Sequence, residues 1–363
     1  MSEELSFLPR VSRREFLAFC GGVAALVGLG QGGALDVAAA LEKIAKRPSV
    51  IWTTFQACTG CAVSLLQSRT PEVAQLLLQQ ISLDYQDNVM AAAGDAAEKS
   101  LQDALEAGGF FWVAEGSVAT KIPGAMAIRG RPSTEIAKDV YAKAKATIAT
   151  GSCATFGNVQ AAKPNPTGAK GIADYLKEDA GVSTPLVINL PRCPGNGEDL
   201  IAVLSYVLVT GKVPPLDAEG RPKFLYGHLV HEDCFRRGHF EAGQYVESYN
   251  DPRIQEGWCL YKLGCKGPVT YAPCGVTQWN GHVSWCVRNA PCIGCSERAF
   301  WDKATPFPAQ LAGVGGFPAQ TIGEVIGAAT VVGLGAHFIG QAATGRLGHG
   351  GPPEQKKTRG GES

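Results

Sequence analysis

Eleven of the twelve cysteines in this 363-residue chain lie beyond residue 57, and their spacing sorts them into sets of metal-binding size. Cys58-Thr59-Gly60-Cys61 is a CxxC pair, joined by Cys153 in Gly151-Ser152-Cys153 and by Cys193 in Pro191-Arg192-Cys193-Pro194. Next come His231 and Cys234, then Cys259 and Cys265: one imidazole and three thiols. Cys274, Cys286, Cys292 and Cys295 close the series. The sets are thus four, three plus a histidine, and four, with no thiol left over. Disulfide pairing of eleven cysteines would strand one. Four thiolates suit tetrahedral zinc or an iron–sulfur cluster. A lone His231 would read as an ordinary core or surface histidine; a cysteine three residues on makes it a ligand candidate.

Something must bring these distant thiols together. Residues 50–55, 110–114, 147–150 and 186–190 are short apolar runs that read as strands. Helices are expected from Thr70-Pro71-Glu72, with its N-cap, early proline and first-turn acid, and over 95–107, 133–146 and 198–209. Alternating strands and helices imply a parallel sheet covered on both faces. Ligands of such sheets lie beyond the carboxyl ends of the strands. The first strand runs into Cys58, the third into Cys153 and the fourth into Cys193, while the second ends at Glu115-Gly116-Ser117. Four thiols therefore converge on one edge.

From about Pro222 the periodicity breaks up and loop residues dominate, yet seven cysteines fall between 234 and 295. So short and irregular a segment needs more than an apolar core to hold it, and bound metal supplies folding free energy. Zinc could fold all three sites but gives no reason for one to lie at the ligand edge of a sheet. Three iron–sulfur clusters in a row would conduct single electrons. The chain has no GxSxG elbow, no GxxxxGK[ST] loop and no nucleotide fingerprint. It reads as the electron-carrying part of a larger enzyme.

Lys+Arg and Asp+Glu balance at 33 each, which argues against a nucleic-acid partner. A hydrophobic content of 45% excludes a mainly disordered chain. Residues 1–40 have the form of a twin-arginine export leader: Ser12-Arg13-Arg14-Glu15-Phe16-Leu17, an apolar run over 18–33, then Ala38-Ala39-Ala40 as a cleavage site. Cys20 belongs to this leader and would leave with it. At the other end, Glu324 is the one formally charged residue between 304 and 345. Residues 322–339 approach the roughly 20 needed to span a bilayer, and Gly323 and Gly327 have helix-packing spacing. The expectation is an anchor over 319–345 followed by a cytoplasmic tail, 346–363, carrying Arg346, Lys356, Lys357 and Arg359. A glycine-rich tail, or a helix buried against a partner, is the alternative.

The ordered motifs resemble those of the small subunit of nickel–iron hydrogenases, over nearly the whole chain. They are the leader, Cys58–Cys61, Gly151–Cys153, Asn165-Pro166-Thr167-Gly168, Gly257-Trp258-Cys259-Leu260-Tyr261, Cys265-Lys266-Gly267-Pro268, Cys292-Ile293-Gly294-Cys295-Ser296-Glu297 and Phe300-Trp301-Asp302. The resemblance implies an α/β fold: a flavodoxin-like, doubly wound parallel sheet over 48–218, then a small loop-rich iron–sulfur domain over 219–310 and a C-terminal hydrophobic helix. It implies a proximal 4Fe–4S cluster on Cys58, Cys61, Cys153 and Cys193. A distal 4Fe–4S cluster would use His231, Cys234, Cys259 and Cys265, and a medial cluster Cys274, Cys292 and Cys295.

Hydrogen would be split at a Ni–Fe centre in a separate large subunit, with no catalytic residue in this chain. Electrons would leave for a membrane cytochrome b or quinone-reactive module, from the periplasmic side of the cytoplasmic membrane. Glu115 is a candidate for a role at the subunit interface, or simply for capping a turn. Where many relatives place proline, this chain has Cys286, so a medial 4Fe–4S cluster is expected, or 3Fe–4S should Cys286 not ligate. Oxygen-tolerant relatives carry two extra proximal cysteines at the positions of Gly60 and Asn158, so their protection is not expected here. Ala57 replaces a glutamate common before the CxxC pair, which puts in doubt any proton route through that acid. His337, in the anchor, is a weak candidate for ligating a partner's haem. The rival readings are the cluster-bearing subunit of another respiratory oxidoreductase and an exported, zinc-stabilised interaction protein.

Overall fold

The computed structural model describes residues 47–69, 81–281, 285–310 and 319–344. The leader, the helix expected from Thr70 and the tail over 346–363 lie outside the described residues. Five parallel strands form the central sheet: β1 (Ser49–Thr54), β2 (Ser82–Gln86), β3 (Phe111–Glu115), β4 (Ala146–Thr150) and β5 (Val187–Leu190). Their order is β2-β1-β3-β4-β5, the flavodoxin-like arrangement in which strand order reverses beside β1. The expected strands are all present, within a residue of their bounds. β2 was not expected. It is an edge strand whose run Ser82-Leu83-Asp84-Tyr85-Gln86 is half polar, because only its last two residues are buried. Alternate Ile81, Leu83 and Tyr85 were its signal.

Side chains alternate between the faces of the sheet, and each face is covered. Val50, Trp52, Phe111, Val113, Ile148 and Ile188 pack with α1 (Gly60–Leu66) and the later helix over Gly197–Thr210. Ile51, Trp112, Ala114 and Ala149 pack on the opposite face against α2 (Asp95–Ala107) and α3 (Ser133–Lys143). α2 has the expected bounds: Asp95 and Glu98 in its first turn favour the dipole, and Leu101, Ala104 and Leu105 form its buried stripe. α3 ends three residues before the expected 146, because Ala144 turns extended and Lys145 N–H bonds Phe110 O to open β4. Two helices not foreseen follow, α4 (Gly151–Phe156) and α5 (Ile172–Glu178). The next, α6 (Gly197–Thr210), stops at Gly211, whose φ of 66° is left-handed.

Beyond 218 the regular pieces are short: α7 (Lys223–Tyr226), α8 (Arg237–Glu241), α9 (Cys274–Thr277) and α10 (Phe300–Lys303), joined by 3-10 turns. This segment shares one apolar core with the sheet, since Val230, Leu260, Val287 and Cys292 pack with the β1–α6 face. A buried arginine organises the loops: Arg236 donates to the carbonyls of Val287 (2.9 Å), Trp258 (2.6 Å) and Arg288 (2.7 Å). Residues from Gln310 on form a separate unit. Its one described element is α11 (Ala319–Ala343), in which Ile322–Ala343 has a mean hydropathy of 1.6 and no buried residue. That stretch is long and apolar enough to cross a membrane.

Candidate metal centres

Sheet register explains why the first set of thiols converges. Thr54, Glu115, Thr150 and Leu190 pair across β1, β3, β4 and β5, so four strands end in one row. Cys58 follows β1, Cys61 stands in α1, Cys153 in α4, and Cys193 follows β5. Cys58, Cys61, Cys153 and Cys193 line one pit. The backbone makes room for something between them. Thr59 takes the left-handed φ of 63° to turn the chain between Cys58 and Cys61. Gly151, at φ 78°, lies where a Cβ would collide with Cys61 Sγ. N–H donors face the sulfurs: Gly195 N–H lies 3.2 Å from Cys61 Sγ, and Asn158 Nδ2 lies 3.1 Å from Cys153 Sγ and 3.5 Å from Cys193 Sγ.

Burial, with Glu115 beside it, pushes the Cys61 thiol well above its ordinary range. Burial likewise pushes Cys153 up to about 11 and raises Cys193. Thiols in such a pit resist ionisation until a cation replaces their protons, which is how metal binding becomes folding free energy. Four sulfurs, converging N–H donors and a glycine-made cradle fit an iron–sulfur cluster. Glu115 points inward rather than out: Oε1 accepts from Cys61 N–H (3.1 Å) and Oε2 from Trp52 Nε1–H (3.0 Å). Ala57 lines the same pit.

The second set also meets. His231, Cys234, Cys259 and Cys265 line one small cavity with Leu260 and Val287. Burial, reinforced by Arg237, lowers the His231 pKa. A neutral imidazole is the form that binds metal. Phe240 fixes its ring edge-on, with centroids 4.5 Å apart. Burial pushes Cys259 up to about 11.

The third set is Cys274 at the start of α9, Cys286 opening a 3-10 turn, and Cys292 and Cys295 in loop. Cys286 and Cys292 share a thiol hydrogen bond that lowers the Cys286 pKa to about 7 and raises that of Cys292. Cys274 and Cys295 lie within electrostatic reach of each other and of Cys286. Cys286 is therefore among the other three, as its proposed ligation needs. Residues 282–284, which include His282, lie outside the described residues.

The sets touch in sequence. Ser152 Oγ–H, beside Cys153, bonds the carbonyl of Cys295, linking the first to the third, and Cys292 N–H lies 3.4 Å from Cys265 Sγ, linking the third to the second. Two residues at the sites escaped the sequence reading. Asn158 was considered only as a missing cysteine, although Asn after Gly157 is a common way to enter left-handed backbone. Arg192, a charge inside an otherwise apolar strand-end motif, was the clearer signal.

Fold and site together define an electron-transfer protein: a flavodoxin-order sheet whose ligand edge adjoins three sets of cysteines. Two family models divide the chain. Residues 58–207 match the 20 kDa subunit of NADH ubiquinone oxidoreductase, and residues 226–308 match the C-terminal part of the NiFe/NiFeSe hydrogenase small subunit. The first match accounts for the likeness to respiratory reductases, and the second selects among them. The periplasmic NiFe hydrogenase small subunit of Solidesulfovibrio fructosivorans is 46% identical over 300 residues, 82% of this chain and 92% of that one. The uptake hydrogenase small subunit of Azotobacter vinelandii is 40% identical over 337 residues, 92% of each chain. The solved NiFeSe hydrogenase of Dm. baculatum superposes with a TM-score of 0.67 at 34% identity, over 74% of this chain and all of that one.

The chain belongs to the nickel–iron hydrogenase small-subunit family. It is the electron-transferring subunit of a hydrogenase, carries iron–sulfur clusters and pairs with a large subunit that holds the Ni–Fe centre.

Proposed function

We propose that the three sets hold three iron–sulfur clusters in the order proximal, medial, distal, and pass electrons from hydrogen oxidation to a membrane acceptor. The proximal 4Fe–4S cluster is assigned to Cys58, Cys61, Cys153 and Cys193. The medial one is assigned to Cys274, Cys286, Cys292 and Cys295, the fourth thiol making it 4Fe–4S. The distal 4Fe–4S cluster is assigned to His231, Cys234, Cys259 and Cys265. The observation that carries the order is the pair of hydrogen-bonded links between the sets, Ser152 Oγ–H to Cys295 O and Cys292 N–H to Cys265 Sγ. When bound, such clusters take up and release single electrons at potentials set by charge, hydrogen bonds and exposure.

This chain's residues supply the rest. The thiols provide negative ligands, Gly195 and Asn158 donate to sulfur, and the apolar walls keep water away. Glu115, buried and bonded to Cys61 N–H and Trp52, holds the CxxC loop in place. In this reading residues 48–218 and 219–310 are the two cluster-bearing domains. Twin-arginine export through residues 1–40 brings the folded complex to the periplasmic side of the cytoplasmic membrane, where α11 anchors it beside a cytochrome b or quinone-reactive partner. The relatives' names, periplasmic and uptake hydrogenase, support that location.

Metal analysis of the complex, purified anaerobically through a tag on this chain, tests the assignment. About twelve irons from three four-iron clusters, plus one nickel and one iron from the large subunit, are expected. Zinc with little iron would overturn it.

A further inference from the structure

Arg192 belongs to the proximal loop by its backbone and to the medial loop by its side chain. Its carbonyl accepts from Ser152 N–H (2.9 Å), beside Cys153, and its neighbour is Cys193. Its guanidinium reaches the turn after α9, the helix that begins with Cys274. There it donates to Gln278 O (2.5 Å) and Thr277 Oγ1 (3.3 Å), with its carbon 5.4 Å from the Trp279 ring centroid. Gln278 has a left-handed φ of 50°, a conformation that persists in a non-glycine residue only where its surroundings enforce it. The side chain is 2% exposed, and one acid faces it: Asp199 Oδ2, 2.8 Å from NH1 and equally buried. Asn196 Nδ2 in turn donates to Asp199 Oδ1 (3.1 Å).

A fixed positive charge is thus held, out of water, where two cysteine sites approach each other. Fixed charge in a low-dielectric interior acts strongly on any neighbour whose own charge changes. Each electron passed adds one negative charge to the site receiving it. Arg192 favours the reduced state, and Asp199 opposes it. The guanidinium is bonded to the Cys274 loop itself, through Gln278 O and Thr277 Oγ1, whereas Asp199 meets the arginine from α6, so the positive member of the pair is the one set against the medial loop.

We propose that Arg192 is a positioning residue that fixes the Cys274 loop against the proximal loop and raises the reduction potential of the medial site, with Asp199 setting how far. This rests on the ligand assignment above. A purely structural clamp, like Arg236, would make no distinction between removing the positive and the negative member of the pair.

The test is an EPR-monitored redox titration of the intact, anaerobically purified heterodimer, with iron analysis of every sample. Arg192→Gln should shift the medial reduction equilibrium about tenfold toward the oxidised form, a fall of about 59 mV for one electron. Asp199→Asn, which keeps the arginine and a side chain of the same shape, should shift it in the opposite direction by a smaller factor. Arg192→Lys should stay within about threefold of wild type, and the distal site should not move in any variant. Shifts of the same sign in Arg192→Gln and Asp199→Asn, or none, at full iron content would overturn the proposal. Should Arg192→Gln fail to assemble, Asp199→Asn alone decides: a medial potential that does not rise sinks the idea. A wild-type complex without medial iron would overturn the ligand assignment, and this role with it.

Discussion

The Nδ2 of Asn158 lies 3.1 Å from Cys153 Sγ and 3.5 Å from Cys193 Sγ, so a single amide addresses thiols from the ends of two neighbouring strands. Asn158 is buried and holds a left-handed φ of 54°, while its Oδ1 has no partner among the described residues. An amide that costs an orphaned oxygen and a strained backbone is held for what its N–H₂ does. Donors to sulfur stabilise added negative charge on a cluster and raise its potential. Asn158→Gly keeps the backbone conformation without strain and removes both donors. The expected result is a lower proximal potential, by an amount on the order of 1 kcal/mol per lost bond, read in an EPR-monitored titration. An unchanged proximal potential would show the amide to be mere filler.

Gly151 is the place where one methyl group should empty a metal site. Its φ is 78°, and a Cβ built on it runs into Cys61 Sγ. Gly151→Ala should assemble with about four fewer irons per heterodimer, one cluster's worth. Gly124→Ala is the control, since nothing lies within 4 Å of the added carbon and its φ is not left-handed. Equal iron in both variants would mean that the proximal assignment is misplaced.

The third site turns on Cys286. Its thiol is hydrogen-bonded to Cys292 and lies within electrostatic reach of Cys274 and Cys295, which puts it where a fourth ligand is needed. Cys286→Ser should convert the medial cluster from four irons to three. The total would fall only from about twelve to about eleven, so the readout is the new EPR signal of an oxidised three-iron cluster. A wild-type complex already showing that signal would exclude Cys286 as a ligand.

Arg221 ties the end of the cysteine-rich segment to the chain that leads into it. Nε lies 2.7 Å from Asp217 Oδ2, and NH1 lies 3.0 Å from Glu297 Oε1 and 3.2 Å from Ser296 O, next to Cys295. Arg221→Met would leave two half-buried acids without their partner. Breaking a fully buried pair costs about 3–5 kcal/mol. Because both acids keep some contact with water, about 2–3 kcal/mol is expected here, seen as a lowered Tm of the purified heterodimer.

Much of this could be read before any coordinates. Four of the five strands, the bounds of α2 and the end of α6 at Gly211 follow from apolar runs, first-turn acids and one glycine, all of which act locally. The thiol sets were legible because ligands cluster in chain order and leave no remainder. What escaped was tertiary. β2 is polar along one side because it is an edge strand. Asn158 and Arg192 act on sulfurs and loops supplied by other elements, and nothing in the neighbouring sequence specifies those contacts. Glu115 turned inward for the same reason: its partners, Cys61 N–H and Trp52, belong to the adjacent strand and the helix after it.

The last prediction concerns α11. Ile322–Ala343 has twenty-two residues of mean hydropathy 1.6, none of them buried, and residues such as Val331, Val332 and Ile339 are about 70% exposed. Soluble proteins rarely leave so large an apolar surface in water, and the length suits a bilayer's hydrocarbon core. Unit 1 ends at Ala309 and has its own core. Deleting 310–363 should therefore leave a heterodimer that still oxidises hydrogen with a soluble dye. Its activity should move from the membrane fraction to the soluble periplasmic fraction. The full-length complex should resist a high-salt wash and need detergent for release, because burial in lipid, unlike surface charge attraction, is not screened by ions. Release of the intact complex by salt alone would refute the anchor, and would reassign α11 to packing against a protein partner.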